Sequence, residues 1–330
     1  MMLTVLLATR NRAQILHDVL ESYCHLETPP AGWKLVVVDN GSTDQTPGVI
    51  DSFRGRLPLH SVVESKLGKN HALNTGLGFI EGDLVVFTDD DAFPRADWLV
   101  QLRKAADRQL EYSIFGGAVA PRWEIAPPSW IEWVHRGPVF TLTDPSQTDG
   151  LIAPYLVFGP NMAIRASIFQ SGVRFDRFIG PQGSDYPMGS ETELVLRLDR
   201  LGHQAWYVGA AVVEHLIREE QLQSSWVMKR AVRYGRGFYR LYYADGTFEG
   251  RLWMGIPRHL FRDIPKEGVL AFSAWMFRKR ESLFRSRWHL NFLRGQAIGA
   301  RAIAASRKIR DRSGSPECVL PSSDSVVKEP

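Results

Sequence analysis

The hydrophobic positions of the first hundred residues alternate between short continuous runs and runs with helical spacing. The continuous runs predict strands at residues 3–8, 34–38, 59–63 and 83–88. Apolar side chains three or four positions apart predict helices at residues 12–23 and 70–80, and Ser42 with Gln45 has the capping-box spacing of a further helix start. This order of elements predicts an α/β fold, with a mostly parallel sheet flanked by helices on both faces.

The pattern changes near residue 216. The less regular segment before it has a helical pattern at residues 191–201, followed by a predicted strand pair at 205–208 and 212–215. Residues 222–310 are helical in pattern and rich in Arg and aromatic side chains, and the tail beyond them is rich in Ser and Pro. We therefore predict an α/β domain at residues 1–216, an α-helical basic C-terminal extension at 217–312 and a disordered tail at 313–330.

The formal net charge of +4 conceals a division of charge along the chain. Residues 1–215 contain 18 Lys and Arg against 25 Asp and Glu, whereas residues 216–312 contain 21 against 8. An acidic front joined to a basic back predicts two different working surfaces. The two cysteines, Cys24 and Cys318, exclude a disulfide framework and a cysteine-based zinc site, and they are typical of a reducing compartment.

No segment has the pattern of a secretory signal or a membrane-spanning helix. The first apolar run is about seven residues long and lacks the basic region that precedes the apolar core of a signal peptide. The longest late apolar run, residues 269–277, is about half of the roughly 18 residues that span a bilayer, and Arg278-Lys279-Arg280 follows it. We expect a cytoplasmic protein, peripheral on the inner face of the cell membrane.

Polar side chains follow three of the predicted strands. They are Thr9-Arg10-Asn11, Asp39 and Asp89-Asp90-Asp91. Because ligands of such sheets lie at the carboxyl ends of the strands, we expect these groups to converge on one cleft.

The three consecutive carboxylates indicate a cation site. An oxygen-only set suits a hard divalent ion such as Mg²⁺ or Mn²⁺, which commonly also takes phosphate oxygens from a substrate. In an extended segment Asp89 and Asp91 point the same way and Asp90 the opposite way, so one outer carboxylate would hold metal while the other reaches a ribose. The alternative is a solvated acidic turn, although a solvated turn gives no reason for three acids at this end of a sheet.

Other candidate residues each have two interpretations. Asp39 suits either simple turn chemistry or a hydrogen bond to a nucleobase or ribose. Glu193 is explained by a capping box with Ser190, which leaves Glu191 free to act as a general base. His215 is either structural or a ligand for a metal or diphosphate. Lys69, near a helix start, either contacts phosphate or lies on the surface.

Taken together, seven segments resemble the family 2 glycosyltransferases with the GT-A fold, of the bacterial polysaccharide-biosynthesis type. In chain order they are LLATRNR, VVVDNGSTD, GKNHALNTGL, VVFTDDDAF, FGPNMAIR, SETELVLRL and EHL, which extend over about residues 1–216. The resemblance implies a nucleotide-diphosphate sugar donor, a divalent metal and inversion at the anomeric carbon. It also makes residues 1–216 the catalytic domain.

The resemblance also implies roles for individual residues. Asp91 matches the metal ligand and Asp89 the ribose contact, while Thr9 and Asp39 match nucleoside contacts. Glu191 falls where the family has the Asp of a Glu-Asp pair, so either Glu191 or Glu193 is the catalytic base. The predicted donor-binding set is Thr9, Arg10, Asn11, Asp39, Lys69, Asn74, Asp89 and Asp90, and the predicted metal set is Asp91, Asp89 and His215.

The basic helical region has three interpretations. Its helices pack on the first domain with a solvated basic face, or lie on an anionic membrane surface, or bind nucleic acid. We prefer the membrane, because basic and aromatic side chains alternate and no nucleic-acid recognition module is visible.

The predicted function is transfer of a sugar from a nucleotide-diphosphate donor, with UDP as the preferred nucleotide, to a hydroxyl of a lipid-linked or surface polysaccharide. The rivals are a sugar nucleotidyltransferase, which would need a Gly-rich loop after the first strand, and a non-catalytic protein that binds nucleotide sugars or polyanions. The sequence ATRNR has no glycine, and the carboxylates Asp89, Asp91 and Glu191 argue against a degenerate site.

Overall fold

The computed structural model describes residues 1–181, 186–243, 252–253 and 255–313, with side chains up to residue 305. The strands are β1 Leu3–Thr9, β2 Trp33–Asp39, β3 Leu59–Val63, β4 Leu84–Phe87, β5 Ala92–Pro94, β6 Ile114–Trp123, β7 Gly150–Ile152, β8 Met162–Arg165, β9 Ala205–Ile217, β10 Leu252–Trp253 and β11 Ile256–Pro257. The α-helices are α1 Ala13–Tyr23, α2 Thr46–Ser52, α3 Lys69–Gly76, α4 Trp98–Arg108, α5 Arg136–Phe140, α6 Ala166–Gln170, α7 Ser190–Arg200, α8 Ser224–Tyr243, α9 Arg258–Met276 and α10 Arg280–Ser313.

One curled sheet forms the centre of the molecule, with strand order β3-β2-β1-β4-β8-β6-β9-β5 and β7 beside β9. The strands β1 to β4 pair in parallel, as their alternation with helices predicts. Beyond β4 the sheet is mixed, because β8, β5 and β7 pair antiparallel and only β6 and β9 run parallel. Two apolar cores cover the two faces of the sheet, which explains the continuous apolar runs of its central strands.

Two details of the predicted elements are wrong. The capping box at Ser42 and Gln45 does not form: α2 begins at Thr46, whose backbone N–H donates to Asp44, while the hydroxyl of Ser42 accepts from Asn11. The predicted strand pair at residues 205–208 and 212–215 is the single strand β9. Its register against β6 jumps from Val208 to Val212, so the break in the apolar pattern marks a bulge and not a turn.

The side chain of Asn161 fills this bulge. Its amide nitrogen donates to the carbonyls of Ala118 and Ala211, at 2.8 Å each, and its oxygen accepts from the indole of Trp98. A Cβ at Gly117 would lie 2.2 Å from the Asn161 amide, so only glycine fits beside it. Beyond the bulge β9 continues to Ile217, and His215 pairs with Pro121 of β6 on one side and with Ala92 of β5 on the other.

Glycines bring the C-terminal helices against the rest of the chain. A Cβ at Gly235 of α8 would lie 2.0 Å from the carbonyl oxygen of Phe292 in α10, and one at Gly295 would meet the backbone of Val232. A Cβ at Gly237 would lie 1.8 Å from the carbonyl oxygen of Met188, just before α7. Close backbone approach at these points packs α8 between α10 and the loop that precedes α7.

No helix in the described part of the chain combines the length and hydropathy that crossing a membrane requires. The division at residue 216 stays a prediction. The predicted disordered tail lies outside the described residues except for Ser313, which ends α10.

Candidate functional site

The Asp triplet forms a turn and not an extended segment. The carbonyl of Asp89 accepts from the N–H of Ala92, which closes the turn between β4 and β5. As a result the three carboxylates reach three different partners: Lys69 for Asp89, Thr9 for Asp90, and His215 with Arg218 for Asp91. Each acid therefore has a separate environment. The expectation that Asp89 and Asp91 point the same way and Asp90 the opposite way, as in an extended strand, is wrong.

Strand pairing places Asp91 beside His215. Ala92 of β5 is the register partner of His215 in β9, and the N–H of Leu216 donates to the carbonyl of Asp91. The imidazole Nε2 of His215 lies 3.4 Å from one oxygen of Asp91, and a guanidinium nitrogen of Arg218 lies 3.5 Å from the other. Both Asp91 and His215 are buried.

Electrostatics differ sharply among the three acids. Burial would raise the pKa of Asp91, but His215, Arg12 and Arg218 hold it well below its ordinary value. Burial, with repulsion from Asp91, raises the pKa of Asp90 to about 6. Asp91 is therefore the most firmly ionised carboxylate of the triplet.

Lys69 connects the triplet to Glu191. Lys69 is the first residue of α3, and its ammonium lies 2.5 Å from Asp89 and 2.7 Å from Glu191. Glu191 is partly buried, and this desolvation alone would raise its pKa, but Lys69, its own backbone N–H and Arg230 lower the pKa. Glu191 is thus held as a carboxylate.

The structure separates the two candidate bases. Glu193 binds Arg197 of the same helix, with nitrogen–oxygen distances of 2.8 and 3.1 Å. The predicted capping box does not form, because Gly189 is the N-cap of α7 and the Ser190 hydroxyl donates to Asn70. Glu191 lines the central cavity described below, and Glu193 does not.

The other predicted donor-binding residues fall into two groups. Thr9 and Arg10 face the cavity. Asn11 and Asp39 instead brace the neighbouring loop: the side-chain oxygen of Asn11 accepts from the N–H of Thr43, and Asp39 accepts from the N–H of Ser42. The Asp39 contact is the turn chemistry that its sequence context allows.

Asn74, a predicted donor-binding residue, lies outside the cavity wall. Its side chain donates to the carbonyl of Phe175 and accepts from the N–H of Phe175, at 2.9 Å each. In the same way Asn70 donates to the carbonyls of Asp176 and Ile179. The polar side of α3 therefore holds the loop at 175–179 in place, and Lys69 is the residue of this helix that lines the central cavity.

These groups surround a central cavity of about 750 Å³, a volume typical of ligand sites. Its wall contains Asp89, Asp90, Asp91 and Glu191, together with His215. It also contains six basic side chains, from Arg10, Arg12, Lys69, Arg218, Arg230 and Arg233. Basic groups in this number, facing a partly buried space, favour a ligand that carries several negative charges.

Two of these cations come from α8, a helix of the basic region for which the sequence predicts a solvated, membrane-facing or nucleic-acid-binding surface. Burial lowers the pKa of Arg230 to about 10, and its guanidinium lies over the ring of Trp226. The Nε of Arg233 is buried without a hydrogen-bond partner. A buried donor of this kind is costly unless a ligand accepts from it, so we infer that α8 completes the site.

Asp91 and His215 have the donor set of a two-residue metal site. The Nδ1–H of His215 donates to the carbonyl of Phe140 at 2.8 Å, which leaves Nε2 directed at Asp91. A backbone carbonyl on the second ring nitrogen is the usual support for a metal-binding histidine. Among the described residues no group of three or more His, Cys, Asp or Glu side chains is arranged to hold a metal, and Asp89, a predicted ligand, is paired with Lys69.

Known proteins resemble the chain in sequence. It is 23% identical over 209 residues to a glucosyl-dolichyl phosphate glucuronosyltransferase of Haloferax volcanii, which covers 60% of this chain and 64% of that protein. It is 32% identical over 92 residues to a beta-monoglucosyldiacylglycerol synthase of Synechocystis sp., covering 27% of this chain and 19% of that protein. The chain thus spans less than two thirds of the length of these relatives.

Solved structures share the fold. A mannosyltransferase of Pyrobaculum calidifontis, in complex with GDP-Man and Mn²⁺, superposes with a TM-score of 0.53 at 19% identity, covering 94% of this chain and 79% of that one. TarS 1–349 of S. aureus gives a TM-score of 0.51 at 14% identity, covering 96% and 92%. The predicted GT-A fold is confirmed. The family model described as "Glycosyl transferase family 2" matches residues 4–171, which is about half of the chain. The chain therefore belongs to that family.

Proposed function

We propose that the protein transfers a sugar from a nucleotide-diphosphate sugar to a hydroxyl of a lipid-linked or polysaccharide acceptor, with inversion at the anomeric carbon. One observation carries this proposal: a single cavity contains six basic side chains, the Asp91–His215 pair and the partly buried carboxylate of Glu191. The basic groups suit a diphosphate, and the carboxylate of Glu191 suits an acceptor hydroxyl that must lose its proton.

The residues around Asp91 bind the donor. Asp91 and His215 would hold a divalent ion such as Mg²⁺ or Mn²⁺, which supplies Lewis-acid neutralisation of the departing diphosphate when bound. The guanidinium N–H groups of Arg218, Arg230 and Arg233 lie along the same wall, where they can donate hydrogen bonds to the nucleotide sugar. Arg guanidinium groups suit phosphate oxygens because their planar N–H groups bind two oxygens at once.

Glu191 acts as the general base. In the free protein its carboxylate is paired with Lys69, which keeps it ionised but also weakens it as a base. An entering diphosphate competes for the Lys69 ammonium, so Glu191 gains basicity when the donor is in place. Glu191 then takes the proton of an acceptor hydroxyl as that oxygen attacks the anomeric carbon, and a single in-line displacement inverts that centre.

The relatives support these substrate classes. The similar structures were solved with GDP-Man and with UDP. One sequence relative is named as a glucuronosyltransferase acting on glucosyl-dolichyl phosphate, and another as the synthase of a lipid product, monoglucosyldiacylglycerol. Among nucleotide donors we favour UDP-sugars.

The identity of the released product tests this function. With UDP- and GDP-sugars, Mn²⁺ and monoglucosylated lipid acceptors, we expect mass spectrometry to find a nucleoside diphosphate and one added sugar in equal amounts. In a parallel reaction supplied with nucleoside triphosphate and a sugar 1-phosphate, a nucleotidyltransferase would instead form a nucleotide sugar and release inorganic diphosphate. Release of inorganic diphosphate, or binding of every donor without turnover, would replace this proposal by one of its rivals.

We also propose that α9 attaches the protein to an anionic membrane surface. Phe261, Ile264, Phe272 and Trp275 are exposed along the helix. Exposed cations lie among these side chains and directly after the helix, at Arg258, Arg262, Lys266, Arg278, Lys279 and Arg280. Apolar side chains flanked by cations favour the interface of an anionic bilayer.

Replacing Phe272 and Trp275 together by Ser should reduce binding to phosphatidylglycerol vesicles by about tenfold or more, because each buried aromatic side chain contributes about 1.5–3 kcal/mol. Vesicle flotation measures the bound fraction, with phosphatidylcholine vesicles to isolate the charge dependence. The double replacement of Leu110 and Leu201 by Ser is the control, since both are exposed elsewhere. Equal flotation of the two variants would contradict the proposal, and a loss of self-association in the α9 variant would indicate a dimer interface instead.

A further inference from the structure

A second cavity, of about 920 Å³, adjoins the central one. We call it the apolar cavity. Its wall includes Leu142, Ile152, Leu156, Phe158, Phe238 and Leu241. Its charged wall residues Arg136 and Asp144 bind Glu132 and Ser146, respectively. The apolar cavity therefore offers hydrocarbon contact more than paired hydrogen bonds.

The two cavities meet beside the proposed base. Seven residues line both, among them Phe158, Gly189, Thr192 and Tyr234. Thr192 follows Glu191 in the first turn of α7, and Gly189 is the N-cap of that helix. A molecule that presents a hydroxyl to Glu191 from this side would leave its remaining atoms in the apolar cavity.

The apolar cavity also borders the helix with the exposed apolar side chains. Its wall includes Phe238, Leu241 and Tyr242, near the end of α8. The next residue, Tyr243, stacks on His259 at the start of α9, with ring centroids 5.5 Å apart. The end of α8, which supplies this part of the wall, is thus in direct contact with the proposed membrane-binding helix, where a lipid substrate would be found.

From these observations we propose that the apolar cavity binds the hydrocarbon chain of the acceptor, whose hydroxyl-bearing head lies at Glu191. This inference rests on the proposed function and specifies its acceptor as a lipid or lipid-linked sugar. The hydrocarbon chain of the acceptor contacts Leu156 and Phe238, and the nucleotide-sugar donor occupies the central cavity. A polysaccharide without a lipid would gain little from this wall, because its hydroxyl groups would lose water without gaining partners.

Chain-length dependence of binding tests the inference. Methyl, butyl and octyl β-D-glucosides, below their micelle concentrations, are titrated by calorimetry into the full chain with saturating UDP and Mn²⁺. A fully buried methylene strengthens binding about fourfold, so octyl glucoside should bind at least about tenfold more tightly than butyl glucoside. Comparing decyl with geranyl β-D-glucoside then distinguishes an acyl-chain source from a polyprenyl source.

Two matched variants locate the chain. Leu156→Trp narrows the apolar cavity. In this variant the affinity for octyl glucoside should be within about threefold of the affinity for butyl glucoside. Leu151→Trp is the same replacement on β7 outside the cavity wall and should leave the chain-length dependence unchanged. Both leucines are more than a third exposed, at 38% and 59%, so neither replacement disturbs a packed core.

Several results would overturn the inference. They are equal affinity for the three glucosides, chain-length dependence that survives Leu156→Trp, and stronger binding with added glucose units than with added methylenes. UDP affinity, measured in parallel, separates this failure from failure of the proposed function. If UDP binds and donor is turned over while chain length has no effect, the transferase proposal stands and the lipid chain does not occupy the apolar cavity.

Discussion

Glu191→Gln should lower the rate of sugar transfer by about 10²–10⁴-fold, the range that a positioned general base contributes. Gln keeps the size of the side chain but cannot take a proton from the acceptor hydroxyl. Donor affinity should not fall, because the substitution removes a competitor of the diphosphate for the Lys69 ammonium, and Lys69 retains its contact with Asp89. Single-turnover transfer and calorimetric UDP binding measure the two effects separately.

Glu193→Gln is the matched control. The two residues lie in the same turn of α7, and their side chains are similarly buried, with 19% and 15% exposed. Glu193 binds Arg197 four residues along the helix, an arrangement worth a few tenths of a kcal/mol, so we expect this variant to retain transfer within about twofold. Equal losses in the two variants, or full activity of Glu191→Gln, would place the base elsewhere.

The sequence predicts the framework of the site because parallel strands have a simple geometry. Strands β1, β2 and β4 pair in parallel and end at one edge of the sheet, so Thr9 and the Asp triplet meet as predicted. The pairing of His215 with Asp91 needs the register of β5 against β9. Apolar periodicity does not determine that register, and only the resemblance to a known family placed the EHL segment with the other motifs.

Contacts between distant segments were beyond prediction. Lys69 and Glu191 are 122 residues apart, and neither has a local pattern that indicates the other. The polar residues of α3 were difficult to interpret for the same reason. Asn74 is a residue type that could contact a ligand, but its side chain binds the backbone of Phe175.

The role of α8 depends on packing that periodicity does not describe. Arg230 and Arg233 lie in a run of basic and aromatic residues, which predicts a surface helix. Gly235 and Gly237 let the backbones of α10 and the Met188 loop approach α8, and the arginines consequently face the central cavity. A pair of glycines inside an otherwise helical pattern is the signal that could have indicated this close packing.

Asp91→Asn should remove the dependence of donor binding on divalent metal. The substitution keeps the shape of the side chain but removes the ionised oxygen that faces His215 at 3.4 Å. We expect transfer to fall by about 10²-fold or more, since Lewis-acid stabilisation of a departing phosphate is worth several kcal/mol. UDP and GDP affinity should fall to the level that the unmodified protein shows in EDTA.

A cycle of four calorimetric measurements identifies the cause of this loss. Unmodified protein and Asp91→Asn are each titrated with UDP, in Mn²⁺ and in EDTA. If Asp91 acts through the metal, the substitution weakens binding in Mn²⁺ and has little effect in EDTA. Asp18→Asn, on the exposed side of α1, controls for a change of one charge. If the substitution costs the same affinity in both conditions, Asp91 acts through Arg218 and His215 alone, because those contacts exist without metal.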